Sequence, residues 1–145
     1  MTEKRSYDAL KLSRQLCFPL YAAARKTVAL YTPYLKPLGI TYTQYLVFLV
    51  LWETDGLSVG ELGEKLRLDT GTLTPVLKRM ADQGFVSRVR SRGDERVVLV
   101  ELTKKGWALQ ETARDIPHRV GACLPFSEEE VKTLYGLLYR VIDSL

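Results

Sequence analysis

A cysteine near the N-terminus of the chain is flanked by residue types that make a thiol reactive. Cys17 follows Arg14 by three residues and precedes Tyr21 by four, so a helix would place Tyr21 on the same face. Tyr31 follows in the same N-terminal segment. A nearby cation and the start of a helix favour the thiolate, and a phenol can donate a hydrogen bond to it. A thiolate of this kind reacts with peroxides to give sulfenic acid.

The alternative for Cys17 is a buried and unreactive thiol, which is the commoner fate of a cysteine on an apolar helix. The second cysteine, Cys123, lies in the segment 120–125, where we expect a loop between the last two helices. Residue types alone leave Cys123 open between a redox role and a spare structural cysteine. Two cysteines do not make a disulfide framework, and one histidine with two scattered cysteines does not fill a metal site. The sequence implies no cofactor.

A long apolar helix would position the N-terminal cysteine. Apolar residues recur at helical spacing over residues 7–30 and cover more than one face, which predicts burial against something beyond one small domain. Pro19 lies inside this span, and we expect it to bend the helix just before Cys17. Pro33 and Pro37 predict a short connector that ends at Gly39. The six polar residues before the helix are expected to fray.

The stretch 58–100 has the pattern of a winged helix-turn-helix. Ser58 and Glu61 have the spacing of a capping box, which begins a short helix. A second helix follows and ends at Gly84, and a hairpin with a charged turn over residues 91–95 comes next. In winged-helix proteins the second helix enters the DNA major groove and the hairpin contacts the neighbouring backbone or minor groove.

Further helices are expected on both sides of this unit. One starts at Thr41 and ends at Glu53, one is capped by Thr103 and fades near Pro117, and the last starts at Ser127. The fold class is therefore mainly α with a small β component. Most tyrosines and both tryptophans, Trp52 and Trp107, are expected in the core.

Charge agrees with a DNA-binding interpretation. Residues 65–100 contain eight Lys and Arg against four Asp and Glu, so 8 − 4 = +4, which equals the net charge of the whole chain. A solvated basic surface without a partner is the alternative. We expect contacts to phosphates or base edges from the second helix and the hairpin, through Thr70, Thr72, Thr74, Lys78, Arg79, Arg88, Arg90, Arg92 and Arg96. Two carboxylates, Asp69 and Asp94, are expected to brace arginines such as Arg79 and Arg96.

Length and composition bound the protein class. A chain of 145 residues that is 46% hydrophobic fits one domain with a real core. The longest apolar run, over residues 45–52, is far below the roughly 18 residues of a membrane span. No basic leader precedes an apolar stretch, so we expect no secretion signal and a cytoplasmic location.

Several motifs resemble the multiple-antibiotic-resistance regulator (MarR) family. They are Leu-Gly-Glu-Lys-Leu at 62–66, Leu-Asp-Thr-Gly-Thr-Leu-Thr-Pro at 68–75, Leu-Lys-Arg-Met at 77–80 and Asp-Glu-Arg at 94–96. Other segments are similar to the organic hydroperoxide resistance regulators within that family, namely those at 15–21, 30–31, 39–45 and 51–53. Proline at position 19 departs from the small or apolar residue of many relatives.

The resemblance implies a redox-sensing repressor built as a single domain over residues 1–145. Residues 7–35 and 103–145 would form dimerisation helices, and residues 40–102 the winged helix-turn-helix. The homodimer would bind a palindromic operator in double-stranded DNA and leave it when an organic hydroperoxide oxidises Cys17. In the two-cysteine branch, Cys17 would form a disulfide with Cys123 of the other subunit, and Tyr21 and Tyr31 would support the thiolate.

Alternative functions predict different experimental responses. A repressor induced by a small aromatic ligand would keep its induction after Cys17→Ser. A thiol peroxidase would turn over with a reductant, but the sequence has a single histidine, His118, and no closely spaced cysteine pair. An architectural DNA binder would respond to neither oxidant nor ligand. A monomer whose terminal helices fold back on the winged unit is the alternative to the dimer.

Overall fold

The computed structural model describes residues 7–145, so the fraying expected of residues 1–6 lies outside the described part. Within it, the chain is mainly helical with a small antiparallel sheet, which confirms the predicted fold class. In chain order the α-helices and strands are α1 (Cys17–Leu35), α2 (Tyr42–Glu53), β1 (Leu57–Ser58), α3 (Val59–Leu66), α4 (Thr70–Asp82), β2 (Val86–Arg90), β3 (Val98–Leu102), α5 (Lys104–Ala113), α6 (Ile116–Gly121) and α7 (Glu128–Ser144).

The first long helix begins ten residues later than the sequence pattern suggests. Two short 3-10 turns, Asp8–Leu10 and Leu12–Arg14, precede α1, and Cys17 is the first residue of the helix. Pro19 therefore lies in the first turn, where backbone N–H groups have no intrahelical partner and proline costs little. The predicted bend within a helix over residues 7–30 is wrong, because the proline marks the beginning of the helix.

The other end of α1 also differs from the expected connector. Pro33 lies inside the helix, which continues to Leu35, and only Pro37 falls in the short 3-10 segment Lys36–Leu38 that follows. Pro33 is exposed, so the helix carbonyl that loses its amide partner can bind water. Gly39 then takes a left-handed conformation with φ +71°, which turns the chain into α2.

The core is built around α2. Thr41 and Gln44 form a reciprocal capping box at its start, which fixes the beginning of the helix where the sequence predicts it. Tyr45, Phe48 and Leu51 of α2 are almost completely buried. Each such side chain stabilises the fold by about 1.5–3 kcal/mol. Apolar side chains of α3, α4 and β3 complete this core, namely Leu62, Leu73, Leu77, Met80 and Val100.

The sheet has three strands in the order β1-β3-β2, one more than the predicted hairpin. The additional strand β1 pairs antiparallel with β3, with Leu57 opposite Val100. The Asp55 carboxylate accepts a hydrogen bond of 2.9 Å from the backbone N–H of Leu102, which ties the end of α2 to the end of β3. The wing is therefore anchored through β3, at its pairing with β1 and at the Asp55 carboxylate.

The junction of β3 and α5 is tightly packed. Thr103 caps α5, as predicted, by accepting a hydrogen bond from Gly106 N–H. Gly106 lies so close to the backbone of Phe85 that an added Cβ would sit 2.3 Å from the Phe85 carbonyl oxygen. Trp52 donates its indole N–H to the Gly106 carbonyl at 3.1 Å, whereas Trp107 is 41% exposed.

The expectation that the large aromatics form the core is therefore wrong in this chain taken alone. Trp107 is exposed, and among the described tyrosines only Tyr45 is buried. The exposed tyrosines lie mainly on α1 and α7, where apolar periodicity continues without a covering element in the single chain.

The chain divides into two compact units, the first ending at Arg114 and the second running from Asp115 to Leu145. In the second unit α6 covers Val120 and Gly121, so the predicted loop over residues 120–125 is partly helical, and His118 also lies in α6. Ser127 and Glu130 form the predicted capping box of α7. Whether residues 1–145 act as the single domain proposed from the sequence stays a prediction. Within residues 7–145, no helix is both long and apolar enough to cross a membrane.

Candidate nucleic-acid interface and thiol sites

Helix α4 has one buried and one exposed face, as its sequence periodicity predicts. Leu73, Leu77 and Met80 are fully buried and hold the helix against α2 and α3. The opposite face carries the exposed residues that the sequence assigns to DNA, namely Thr70, Thr72, Thr74, Lys78 and Arg79. The helix therefore presents hydroxyls and cations on a rigid support.

The beginning of α4 is fixed by Asp69, which has a role that the sequence interpretation does not assign to it. Its carboxylate accepts a 2.7 Å hydrogen bond from the backbone N–H of Thr72, as an N-cap. This hydrogen bond, followed by that of the Thr72 side chain, holds the pKa of Asp69 below its ordinary value of 3.8. Asp69 is thus a charged cap at the end of α4 that carries Thr70 and Thr72.

The wing is held in shape by its own arginines and carboxylates. Asp94 accepts hydrogen bonds from the backbone N–H of Arg96 at 3.0 Å and from its Nε at 3.3 Å. Arg90 donates from Nη1 to the Glu95 carbonyl at 2.8 Å, across the base of the turn. Arg92 lies exposed in the turn itself. The wing therefore carries several cations, and two of them also stabilise its tip.

The structure brings part of the predicted helix set together with part of the wing set. Thr70 and Thr74 of α4, Arg88 of β2 and Arg96 of the wing line one hollow of about 420 Å³ beside the helix. Thr74 donates its hydroxyl to the Thr70 carbonyl at 2.7 Å. Hydroxyls and guanidinium groups on one concave surface suit the phosphate backbone of DNA.

Cys17 is exposed at the first residue of α1, a free thiol rather than a buried one. Tyr21 lies one helical turn further on and is 60% exposed, with the Arg25 guanidinium 4.9 Å from its ring centroid. Arg14, which the sequence suggests as a cation for the thiolate, pairs with Asp8 at 3.1 Å. Arg14 is therefore already paired with a carboxylate of the preceding 3-10 turn.

Tyr31 is far from Cys17 within one chain. It is fourteen residues further along the same continuous helix, which corresponds to about 21 Å along the axis at 1.5 Å per residue. Its ring instead packs against Tyr42 and Tyr45 of α2, with centroids 4.8 and 5.5 Å away. Cys17 and Tyr31 therefore lie in the same helix without being close together in one chain.

Burial changes the ionisation of the two tyrosines on α2. Desolvation, followed by the charge of a neighbouring Tyr31 phenolate, raises the pKa of Tyr42. The same causes, with Tyr42 added, raise the pKa of Tyr45 to about 12. Both phenols remain hydrogen-bond donors at neutral pH. The sequence does not single out Tyr42, because its helical position gives no sign that its ring lies against Tyr31.

Cys123 lies just after α6 in the second unit and is exposed, with its thiol 3.5 Å from the Arg119 carbonyl oxygen. It is a free thiol, as Cys17 is. Both cysteines of the chain are thus available to solvent in the described structure.

Comparison with known proteins places this geometry in a family of regulators. The family model for the transcriptional regulators SarA and Rot matches residues 29–112, more than half of the chain. The organic hydroperoxide resistance transcriptional regulator of Bacillus subtilis is 47% identical over 142 residues, covering 98% of this chain and 97% of that protein.

Solved structures of AbfR from Staphylococcus epidermidis are also similar, at 36% identity. Reduced AbfR bound to DNA superposes with a TM-score of 0.79 over 94% of this chain and 95% of that one. The disulfide form of AbfR superposes with a TM-score of 0.65 and similar coverage, 94% and 93%. The overoxidised form of AbfR bound to DNA superposes with the same TM-score of 0.79 as the reduced form.

Proposed function

Because the chain belongs to the MarR and SarA family of winged-helix transcriptional regulators, we propose that it is a repressor that senses organic hydroperoxides through Cys17. The reduced homodimer binds a palindromic operator, and oxidation of Cys17 releases it. The observation that carries this proposal is the exposed free thiol of Cys17 at the first residue of α1. A thiol in this position is accessible to a peroxide and lies where helix amides stabilise the thiolate.

The exposed faces of α1 and α7 support a dimer. Leu35 is the only buried residue of α1, and α7 buries none of its residues in the single chain. Val131, Leu138 and Ile142 of α7 are between a third and a half exposed, although they repeat at helical spacing. An apolar stripe of this length is stable when a second copy covers it.

A two-fold dimer gives the tyrosine cluster a function. Since about 21 Å of helix separates Cys17 from Tyr31 in one chain, a Tyr31 phenol that supports the thiolate comes from the other copy. Tyr42 packs on Tyr31 with a centroid distance of 4.8 Å, so both phenols can face the partner's thiol together. Tyr31 and Tyr42 then donate hydrogen bonds to the sulfur of Cys17 as it reacts.

The chemistry is a two-electron oxidation of sulfur. The Cys17 thiolate attacks the outer oxygen of the hydroperoxide, the O–O bond breaks, and the alkoxide leaves and takes up a proton as an alcohol. Cys17 is then a sulfenic acid. The thiolate of Cys123 from the second copy attacks that sulfur, an S–S bond forms, and the hydroxyl leaves as water after protonation. The pairing requires the two Cα atoms to come within about 7 Å.

A gel shift on a palindromic duplex recovered by in vitro selection tests the proposal. We expect cumene hydroperoxide to release wild type, but Cys17→Ser to stay bound at every oxidant concentration. Wild type should form a covalent dimer on a non-reducing gel, and Cys123→Ser should form none. Release of Cys17→Ser by hydroperoxide would overturn the assignment of Cys17 as the sensor, whereas a covalent dimer of Cys123→Ser would overturn only the disulfide pairing.

Induction by a small aromatic anion is the second candidate function, and the hollow beside α4 favours it. Leu77, Val97 and Val98 contribute apolar side chains to the lining of this hollow, and Arg88 and Arg96 contribute cations. Such a ligand would displace DNA from the same residues that contact it. Salicylate would then release wild type and Cys17→Ser equally, in the absence of any oxidant.

A further inference from the structure

A buried glutamine connects three segments of the first unit through hydrogen bonds. Gln44 is 1% exposed, and it is the buried polar residue of the described core. Its Oε1 accepts from the Thr41 backbone N–H at 3.0 Å, and its Nε2 donates to Oε1 of Gln83 at 2.9 Å. Gln83 in turn donates from Nε2 to the Gly39 carbonyl oxygen at 2.8 Å. Every polar atom of the Gln44 amide group is therefore used at a fixed place.

The three segments have different roles in the molecule. Gly39, with φ +71°, is the joint between α1 and α2. Gln44 lies in the first turn of α2, and Gln83 is the C-cap residue of α4, the helix that carries the proposed DNA contacts. The hydrogen bonds therefore run from the joint behind α1, through the start of α2, to the end of the DNA-reading helix.

Other contacts join the far end of α2 to the base of the wing and to the first turn of α5. Asp55 accepts a hydrogen bond from the Leu102 backbone, and Trp52 donates one to the Gly106 carbonyl. Helix α2 is thus fastened to α4 at its beginning and to the base of the wing at its end. The helix-turn-helix and the wing form one body on α2, which meets α1 at the Gly39 joint and through the packing of Tyr31 on Tyr42 and Tyr45.

We propose that Gln44 and Gln83 form a latch on the Gly39 joint, which sets the angle between α1 and α4 and hence the half-site spacing that the dimer accepts. This proposal rests on the proposed function, because half-site spacing has meaning only for a dimer on a two-fold site. While the hydrogen bonds of Gln44 and Gln83 are intact, the helix-turn-helix and the wing keep one angle to α1. When these hydrogen bonds are broken, the backbone at Gly39 bends more freely. The dimer then binds operators with a slightly shorter or longer half-site spacing almost as tightly as the selected one.

Reduced protein and three duplexes test the latch without any oxidation step. The duplexes are the selected palindrome and two versions with one central base pair added or removed, which moves a half-site by about 3.4 Å. Fluorescence anisotropy gives the dissociation constant for each. We expect wild type to prefer the selected spacing, and Gln83→Met to lose about fivefold of that preference.

Further variants separate the latch from general stability. Gln83→Glu keeps an acceptor for Gln44 but cannot donate to Gly39, so it should lose the same preference while the Gln44 amide stays paired. Gln44→Met/Gln83→Met should lose no more than Gln83→Met alone, because both residues belong to one unit. Gln110→Met, on the exposed part of α5, is the matched control and should behave as wild type.

A merely structural role of Gln83 gives a different result. It would lower the thermal unfolding midpoint and weaken binding to all three duplexes by the same factor, which would overturn the latch. If both Gln83 variants discriminate among the three duplexes as well as wild type does, the latch is also overturned. The proposed function would not be affected by that result. If wild type binds all three duplexes equally, the dimer does not read two half-sites at a fixed spacing. That result would overturn both this part of the proposed function and the latch.

Discussion

The ring centroids of Tyr31 and Tyr42 lie 4.8 Å apart, so α1 and α2 meet through two phenols. Under the proposed mechanism these phenols serve the Cys17 of the second copy. We expect Tyr31→Phe to keep the ring packing but to slow oxidation of Cys17 by cumene hydroperoxide by about tenfold, because one hydrogen bond to a charged group is removed. The decrease of free thiol with time measures the rate, and Tyr7→Phe, at an exposed ring, is the control.

Mixed dimers decide whether Tyr31 acts across the interface. A dimer of one Cys17→Ser subunit and one Tyr31→Phe subunit retains one thiol that faces an intact partner tyrosine, so its thiol should react at the wild-type rate. A dimer of wild type with the doubly substituted subunit should react slowly. The reverse order of rates would show that Tyr31 acts within its own chain.

The turn of the helix-turn-helix depends on a glycine that approaches the backbone closely. A Cβ on Gly63 would lie 2.7 Å from the Leu68 carbonyl oxygen, whereas a Cβ on Gly60 of the same helix meets only Ser58 Oγ at 3.8 Å. We expect Gly63→Ala to lower the free energy of unfolding by about 1–3 kcal/mol through this clash. Gly60→Ala should raise it by about 0.5–1 kcal/mol. Urea unfolding of the two variants measures both effects, and equal results would contradict the close approach.

Asp69 should make stability depend on pH in the acid range. Its folded pKa lies below the ordinary 3.8, mainly because the Thr72 N–H donates to the carboxylate. The stabilisation is therefore complete above about pH 5 and is lost as the pH falls through the ordinary and then the lowered pKa. Asp69→Asn keeps a capping oxygen without a titrating group. The urea midpoint of wild type minus that of Asp69→Asn should decrease between about pH 5 and pH 2, and a constant difference would show that Asp69 does not cap α4 as a carboxylate.

Lys78 projects from the exposed face of α4 and is expected to bind phosphate. Lys78→Ala should weaken binding to all sequences alike and reduce the slope of log K against log salt by about 0.9 for each phosphate that is no longer neutralised, or about 1.8 for a dimer. Lys78→Arg keeps the charge and should keep the slope. If Lys78→Ala retains the wild-type slope but relaxes preference at one base pair, Lys78 binds a base and not a phosphate.

Local signals in the sequence were sufficient wherever a side chain acts on its own helix. Ser58, Thr103 and Ser127 cap helices at the predicted positions, because a cap and its amide partners are only three residues apart. The exposed side of α4, to which we assign the DNA contacts, follows in the same way from a buried stripe with helical period. These features made the winged helix-turn-helix predictable.

Features that depend on distant parts of the chain were missed or misplaced. Pro19 is compatible with a bend or with a helix start, and the choice depends on whether the preceding residues find partners. Strand β1 has two residues and exists only through its pairing with β3, which no local pattern reveals. Gln44 and Gln83 are 39 positions apart in sequence, so their hydrogen bond is invisible until α2 and α4 pack.

Pairing of β3 with strands on both sides leaves only residues 91–97 of the wing beyond the last paired residues, Arg90 and Val98. Arg96 and Val97 of this tip also line the hollow beside α4, so exchanging the tip for that of a relative would change the lining of the hollow but leave β2 and β3 paired. Chimaeras made at Arg90 and Val98 would carry the wing-tip residues of a relative on the paired strands of this chain. Under the proposed function, such chimaeras would change the contacts of the wing with DNA, while Cys17 and the helices of the proposed dimer stay as they are.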